Sequence, residues 1–357
     1  MSLMLIIFSH VFVAWKRFEL GDLHAPLASW PLPLRFLLHN GEASVQIFFG
    51  LSGFIISYAF ARGYAKGRSL SLKNFYLRRL VRIEPPYFII STLFLLLYLL
   101  KGWHHIHYYG PHYLASIFYV HNLVFPRING LNDVTWTLEV EIQFYLLAPL
   151  LCQVFRLTQR LRTCIMIVAT TILIILPYYF KPHFISLYNY AGYFLVGMLI
   201  ADLTVNGKAF LEKFKWPVRV LTALSLYTLL FGSYLPWNIY MMSTGVILFF
   251  VGYGVLNIPF WKRFFSFGIF PVLGGMSYSI YLFHNLFITF LFLYGVYIPG
   301  KSITILLLNM LWISIAIFVT GAIIFRIIEK PFMNLSARIT VFVDRKKAAP
   351  STDEAAS

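Results

Sequence analysis

The residues that could do chemistry in this chain are few, and they sit in apolar surroundings. His10 lies in IIFSHVFVAW, Glu139 and Glu141 in WTLEVEIQFYLLAP, His284 in GGMSYSIYLFHNLF, and Glu329 in FRIIEKPF. An ionisable group inside such a run costs at least a few kcal/mol, so each needs a partner or a task. For His10 the task would be that of a general base, because an unperturbed imidazole titrates at about pH 6.5; the plain alternative is a hydrogen bond to a neighbouring helix. Glu139 and Glu141 are two apart and face different sides of a helix. Either could orient a histidine or a sugar hydroxyl, or simply meet interfacial water. Tyr281 and His284 are three apart and share a helical face. Glu329 reads as the ion-pair partner of Arg326 or Lys330.

A second kind of chemistry is written in FYLRRLVRIEPPYF, residues 75–88. Arg79 and Arg82 are three apart and share a face, with Arg78 beside them. Guanidinium groups keep their charge and offer paired N–H donors to phosphate. Pro85 and Pro86 fit the first turn of a helix, where a missing N–H costs little. A helix N-terminus there would add a field that favours anions. Two readings stay open for the arginines: a topology signal, or a site for a phosphate-bearing cytosolic ligand.

The elements that position these groups must be membrane helices. Of 357 residues, 59% are hydrophobic and only 12% charged, with a mean hydropathy of +0.75. A soluble domain carries about a quarter charged residues, so a polytopic all-α membrane protein is the class that fits. Apolar runs predict about ten transmembrane helices near 3–15, 43–61, 83–100, 140–155, 163–180, 187–203, 218–235, 237–257, 273–297 and 303–328. The stretch 101–139 is expected to hold an interfacial or re-entrant piece. Cytoplasmic placement of 62–82 puts 22 of the 29 Lys and Arg residues inside and both termini in the cytoplasm. The net charge of +16 is therefore a matter of loops, and no nucleic-acid partner is called for. The first run is shorter than the roughly 20 residues a crossing needs. No cleavable signal peptide is recognisable. Residues 1–335 form the membrane domain, and 336–357 have the composition of a disordered cytoplasmic tail.

Three further features have plain readings. His104, His105, His107 and His112 form a cluster among interfacial aromatics, and no metal site is expected there. Ser52 and Gly53 in FFGLSGFIIS suit close packing of helices through small residues. Cys152 and Cys164 do not imply a disulfide framework.

Four stretches taken together, FFGLSGFIIS, FYLRRLVRIEPPYF, WTLEVEIQFYLLAP and SYSIYLFH, resemble in that order the signature blocks of the acyltransferase-3 family of integral membrane O-acyltransferases. Its members include acetylases of O-antigen, exopolysaccharide and Nod factor. The resemblance runs from His10 to Glu329. It implies an acyl-CoA co-substrate, usually acetyl-CoA, no bound cofactor, and a sugar or lipid-linked glycan as acceptor, in a bacterial inner membrane. By motif, His10 matches the first-helix histidine regarded as catalytic, and Glu141, the second residue expected to be catalytic, matches the glutamate of the W-S-L-x-x-E block, with Thr137 in place of the serine. Arg79 and Arg82 match the paired arginines of the donor site, and Arg78 is expected to help them hold the donor. His284 closes the S-Y-x-x-Y-L-x-H block. Ser52, Trp136, Tyr145 and Tyr281 of the same blocks are further candidates. The arginine that usually precedes the family's first histidine would fall ahead of Met1, and with the short first span this leads to the expectation that the natural start lies upstream or that this copy is truncated and impaired. An appended SGNH hydrolase-like domain is not expected. The rival reading is a transporter or flippase of a lipid-linked glycan, which would also need aromatic spans and a few buried polar groups.

Overall fold

The computed structural model describes residues 2–21, 41–68, 71–102, 105–125, 130–180, 182–207, 214–231 and 237–336, and no strand occurs among them. Helix α1 (Ser2–Trp15) continues through a five-residue π-turn, Lys16–Leu20. It therefore runs past the expected end of the first span. Next come α2 (Gly41–Ala65), α3 (Leu72–Leu100), two short helices α4 (Ile106–Ile117) and α5 (His121–Val124), and α6 (Trp136–Leu151). Helices α7 (Gln159–Tyr179), α8 (Leu187–Asn206), α9 (Lys215–Phe231) and α10 (Trp237–Asn257) follow. The chain closes with α11 (Pro259–Phe265), α12 (Ile269–Gly275), α13 (Ser277–Leu293) and α14 (Ile303–Ile324), the last extended by a π-turn over Phe325–Glu329. A helix occupies each of the ten apolar runs. Among the described residues, five helices are long and apolar enough to cross a membrane, or up to seven if each of two bent pairs is one span. One such pair, Ile269–Gly275 with Ser277–Leu293, bends by 76°. The segments Trp103–His104 and 337–357 lie outside the described residues.

Helix α3 begins earlier than expected. Ser71 caps it, its side chain accepting from the Asn74 N–H at 3.5 Å. Pro85 and Pro86 are thus interior to the helix, not in its first turn. Each lacks an N–H, so the carbonyls of Val81 and Arg82 lose their helical partners. The field of a helix end fades within one turn, so it does not reach Arg79 or Arg82.

Most of the helices pack as two groups, and a smaller third core joins α9 and α10 through Leu226, Leu229, Tyr240, Ile247 and Val251. Helices α1, α3, α13 and α14 share a core that includes Ile7, Val11, Trp15, Tyr87, Phe94, Ile288 and Ile317. Helices α2, α6, α7, α8 and α10 share another, with Phe49, Phe60, Phe144, Phe194 and Tyr253. Tyr145 touches both cores. In the second group α2 and α8 lie closest, and glycine makes that possible. A Cβ at Gly53 would stand 2.2 Å from the Phe194 carbonyl oxygen, and one at Gly197 2.1 Å from that of Gly50. The Arg162 guanidinium on α7 is bonded to Asp202 on α8 at 2.9 Å, a buried ion pair. The first group is tied at its edge by Trp15 Nε1–H to the Gly300 carbonyl, 3.0 Å, and by the Gly300 N–H to Glu19, 2.9 Å.

Candidate active site

Between the two groups lies a cavity of about 640 Å³. Its walls come from α2 (Phe48, Phe49, Ser52, Ile55), α3 (Arg78, Arg79, Arg82, Ile83), α6 (Thr137, Leu138, Glu141, Tyr145) and α13 (Ser277, Tyr278, Tyr281). Met333 and Ser336, beyond α14, complete the lining. The four sequence blocks thus meet in one place, each giving the face that its periodicity groups together.

The arginines share one wall because α3 carries them at three- and four-residue spacing. Arg79 lies over the Phe75 ring, 3.9 Å from its centroid, with the Tyr145 ring at 5.3 Å. Its Nη1 donates to the Phe75 carbonyl at 3.4 Å. Arg82 lies 3.7 Å from Glu329. Glu329 therefore pairs across helices with α3, not with Arg326 or Lys330, which are exposed on its own helix. The π-turn over Phe325–Glu329 accounts for this: one wide turn shifts the register and points Glu329 inward.

Also in the cavity lining, Ser52 and Tyr145 both donate to Glu141 Oε1. In FFGLSGF the two small residues divide their tasks: Gly53 meets α8 and Ser52 meets Glu141. Glu139 faces away, as its spacing requires. It is fully buried and accepts the Asn122 N–H at 2.8 Å, holding the start of α5. Trp136 also stands off the cavity, packed on Tyr190 (5.3 Å) and Phe49 (6.2 Å).

His10 and His284 form a pair of their own. Their ring centroids are 5.0 Å apart at 72°, edge to face. His284 is fully buried, and its Nδ1 donates to the Tyr281 carbonyl at 2.8 Å. A carbonyl only accepts, so the hydrogen sits on Nδ1 and Nε2 is left as an acceptor; no hydrogen bond from the described residues engages that nitrogen. Asn285 and Asp133 are the polar side chains that act on His10. Tyr281 links the pair to the cavity. Its ring lines the cavity and lies 5.5 Å from the His284 ring. Its hydroxyl shares a hydrogen bond of 2.8 Å with Thr137 and donates to the Val134 carbonyl at 3.2 Å. Sequence reasoning missed Thr137 as a partner and Asn285, and it did not foresee that the Tyr278 hydroxyl donates to the Ile83 carbonyl at 2.8 Å. Thr137, Tyr278 and Asn285 carried a signal, since all lie inside the quoted blocks or next to one.

Away from the cavity, His112 Nδ1 and His121 Nε2 share a hydrogen bond of 2.8 Å. His104 of the histidine cluster lies outside the described residues, and no group of three or more metal-ligating side chains occurs among those described. Both cysteines are free thiols, Cys152 buried and Cys164 exposed.

Comparison with known proteins agrees with this assembly. A family model described as an acyltransferase domain matches residues 1–328. The O-acetyltransferase OatA of Staphylococcus aureus is 25% identical over 345 residues, covering 87% of this chain and 56% of its own. Nodulation protein 10 of Rhizobium leguminosarum bv. viciae is 30% identical over 181 residues, 46% of this chain and 45% of its own. The chain spans little more than half the length of the OatA proteins it matches. No solved structure matches. With a family model aligned from the first residue to the last helix, and its signature blocks converging on one cavity, the chain belongs to the acyltransferase-3 family.

Proposed function

We propose that the protein is an integral membrane O-acyltransferase. It moves an acyl group, most simply acetyl, from acyl-CoA to a hydroxyl of a cell-surface polysaccharide or lipid-linked glycan. We place it in a bacterial inner membrane with both ends in the cytoplasm, where the donor is made. The observation that carries this reading is the continuity of the site: three arginines in the lining of the cavity, and a histidine pair joined to it through Tyr281. The name of the OatA relatives, O-acetyltransferase, supports the reaction class.

In this reading the phosphates of CoA rest on Arg79 and Arg82, with Arg78 beside them, where charged N–H donors recognise them in pairs. Its arm passes Ser52, Glu141 and Tyr145 towards Tyr281. Glu141 accepts two O–H bonds in the cavity and has no bond to His10, so it shapes the donor path and fixes Tyr145 under Arg79. His10 takes the proton of the acceptor hydroxyl as its oxygen bonds the thioester carbonyl carbon. The C–S bond then breaks, and the leaving thiolate recovers a proton from the imidazolium. His284, held by the Tyr281 carbonyl, presents its ring edge to His10 and orients it. The packed walls keep water from the thioester.

The test is transfer of labelled acetyl from acetyl-CoA in membranes that contain the chain and its native glycan. His10→Ala removes the base and lowers transfer by roughly 10²–10⁴-fold. Arg82→Ala raises the donor concentration needed. Equal labelling by both variants and the unaltered chain, at equal protein levels, would overturn the reading and favour a transporter.

A further inference from the structure

We infer that Glu329 is a positioning residue for the donor: it holds Arg82 ready for phosphate before the donor arrives. The inference rests on the reading of the cavity given above.

Glu329 has no exposed surface, while half of the Arg82 side chain stays open. Its Oε2 accepts both the Ser279 N–H at 3.2 Å and the Ser279 hydroxyl at 2.7 Å. The carboxylate is thus fixed to the first turn of α13. Its other oxygen, Oε1, is buried with no hydrogen bond among the described residues and faces Arg82 at 3.7 Å. A charge-assisted hydrogen bond is about 2.7–2.9 Å, so the pair attracts without locking. Arg82 therefore keeps its N–H donors for the cavity it lines.

Arg79 has an equivalent holder of another kind, the Phe75 and Tyr145 rings and the Phe75 carbonyl. The two guanidinium groups repel each other, and each would otherwise sample many rotamers. Opposed holders set the spacing between them. Ser336 Oγ adds a bond to the Arg78 carbonyl at 3.2 Å, so the same terminal segment grips α3 at two points. A guanidinium ordered in advance loses less freedom when it binds phosphate, and affinity gains by that difference.

The experiment is titration of CoA into the full chain in lipid nanodiscs, followed by calorimetry. Glu329→Gln keeps the shape and an acceptor for Ser279 but removes the charge. It should weaken CoA binding roughly tenfold and raise the KM for the donor, with kcat little changed. Glu329→Asp should recover part of the loss. In an Arg82→Ala background, Glu329→Gln should add nothing, because the group it positions is gone. Ser279→Ala, which frees the carboxylate without removing it, should show a smaller loss of the same kind and serves if Glu329→Gln does not fold. Unchanged binding by Glu329→Gln, or an equal loss with and without Arg82, would overturn the inference. An unaltered chain that binds no CoA would overturn the donor reading itself.

Discussion

The approach of α2 to α8 can be tested with a single methyl group. At Gly197 a Cβ would stand 2.1 Å from the Gly50 carbonyl oxygen and 2.5 Å from the Phe54 nitrogen. Both obstacles are backbone, so no side chain can turn away. Contact between carbon and oxygen needs roughly 3.3 Å, so the helices must part by about 1 Å along that line. Overpacking in a well-filled core costs about 1–3 kcal/mol, and a rigid obstacle puts Gly197→Ala at the upper end. At about 2 °C per kcal/mol, the unfolding temperature should fall by roughly 6 °C. Gly245→Ala is the control. Its Cβ would meet only the Ile174 Cδ1 tip, at 2.3 Å, with the next atom at 3.6 Å. A rotamer change relieves that, and the loss should stay under about 1 kcal/mol. Because α2 also carries Ser52 to Glu141, Gly197→Ala should impair transfer beyond its effect on stability. The assay is thermal unfolding of the purified protein in detergent, followed by intrinsic fluorescence. Equal unfolding temperatures for the two variants would refute the argument from backbone contact.

Three other outcomes are expected. Asp202→Ala leaves the buried Arg162 guanidinium without its carboxylate and should cost about 3–5 kcal/mol, read in the same unfolding assay. Arg79→Lys keeps the charge but loses the flat group that stacks on Phe75, so donor binding by calorimetry should weaken roughly tenfold; affinity equal to that of the unaltered chain would refute the stacking role. In the short helices α4 and α5, burial and the neighbouring His112 push the His121 imidazole down to about 4. The unfolded chain takes up that proton at about pH 6.5 and the folded one only near 4, so stability is full above 6.5 and is lost as pH falls between the two. His121→Gln should flatten this acid limb in a pH series of unfolding temperatures.

Much of the site was legible because helical spacing survives folding. Arg79 and Arg82 share a wall at three residues apart, and Glu139 and Glu141 part company at two. Tyr281 and His284 meet as their spacing requires. What escaped the sequence were contacts between distant segments and departures from the regular helix. Glu329 has two basic neighbours on its own helix, and only the π-turn turns it towards Arg82 instead. Pro85 and Pro86 suggested a helix start, yet the Ser71 cap sets the start at Leu72. The pairing of His112 with His121, rather than with the nearer His105 or His107, depends on the turn between α4 and α5.

The cavity is also a joint. Its walls belong to two cores that share few side chains, with Tyr145 among those touching both. A molecule reaching from Arg82 to Tyr281 would act as a dowel across that joint, and whatever fits would resist its opening. Occupancy would then register as heat resistance, about 2.7 kcal/mol at a hundred times the dissociation constant. A row of CoA thioesters of increasing chain length, ranked by how far each raises the unfolding temperature, would measure the length of the dowel hole and so name the acyl group, with no acceptor in the tube.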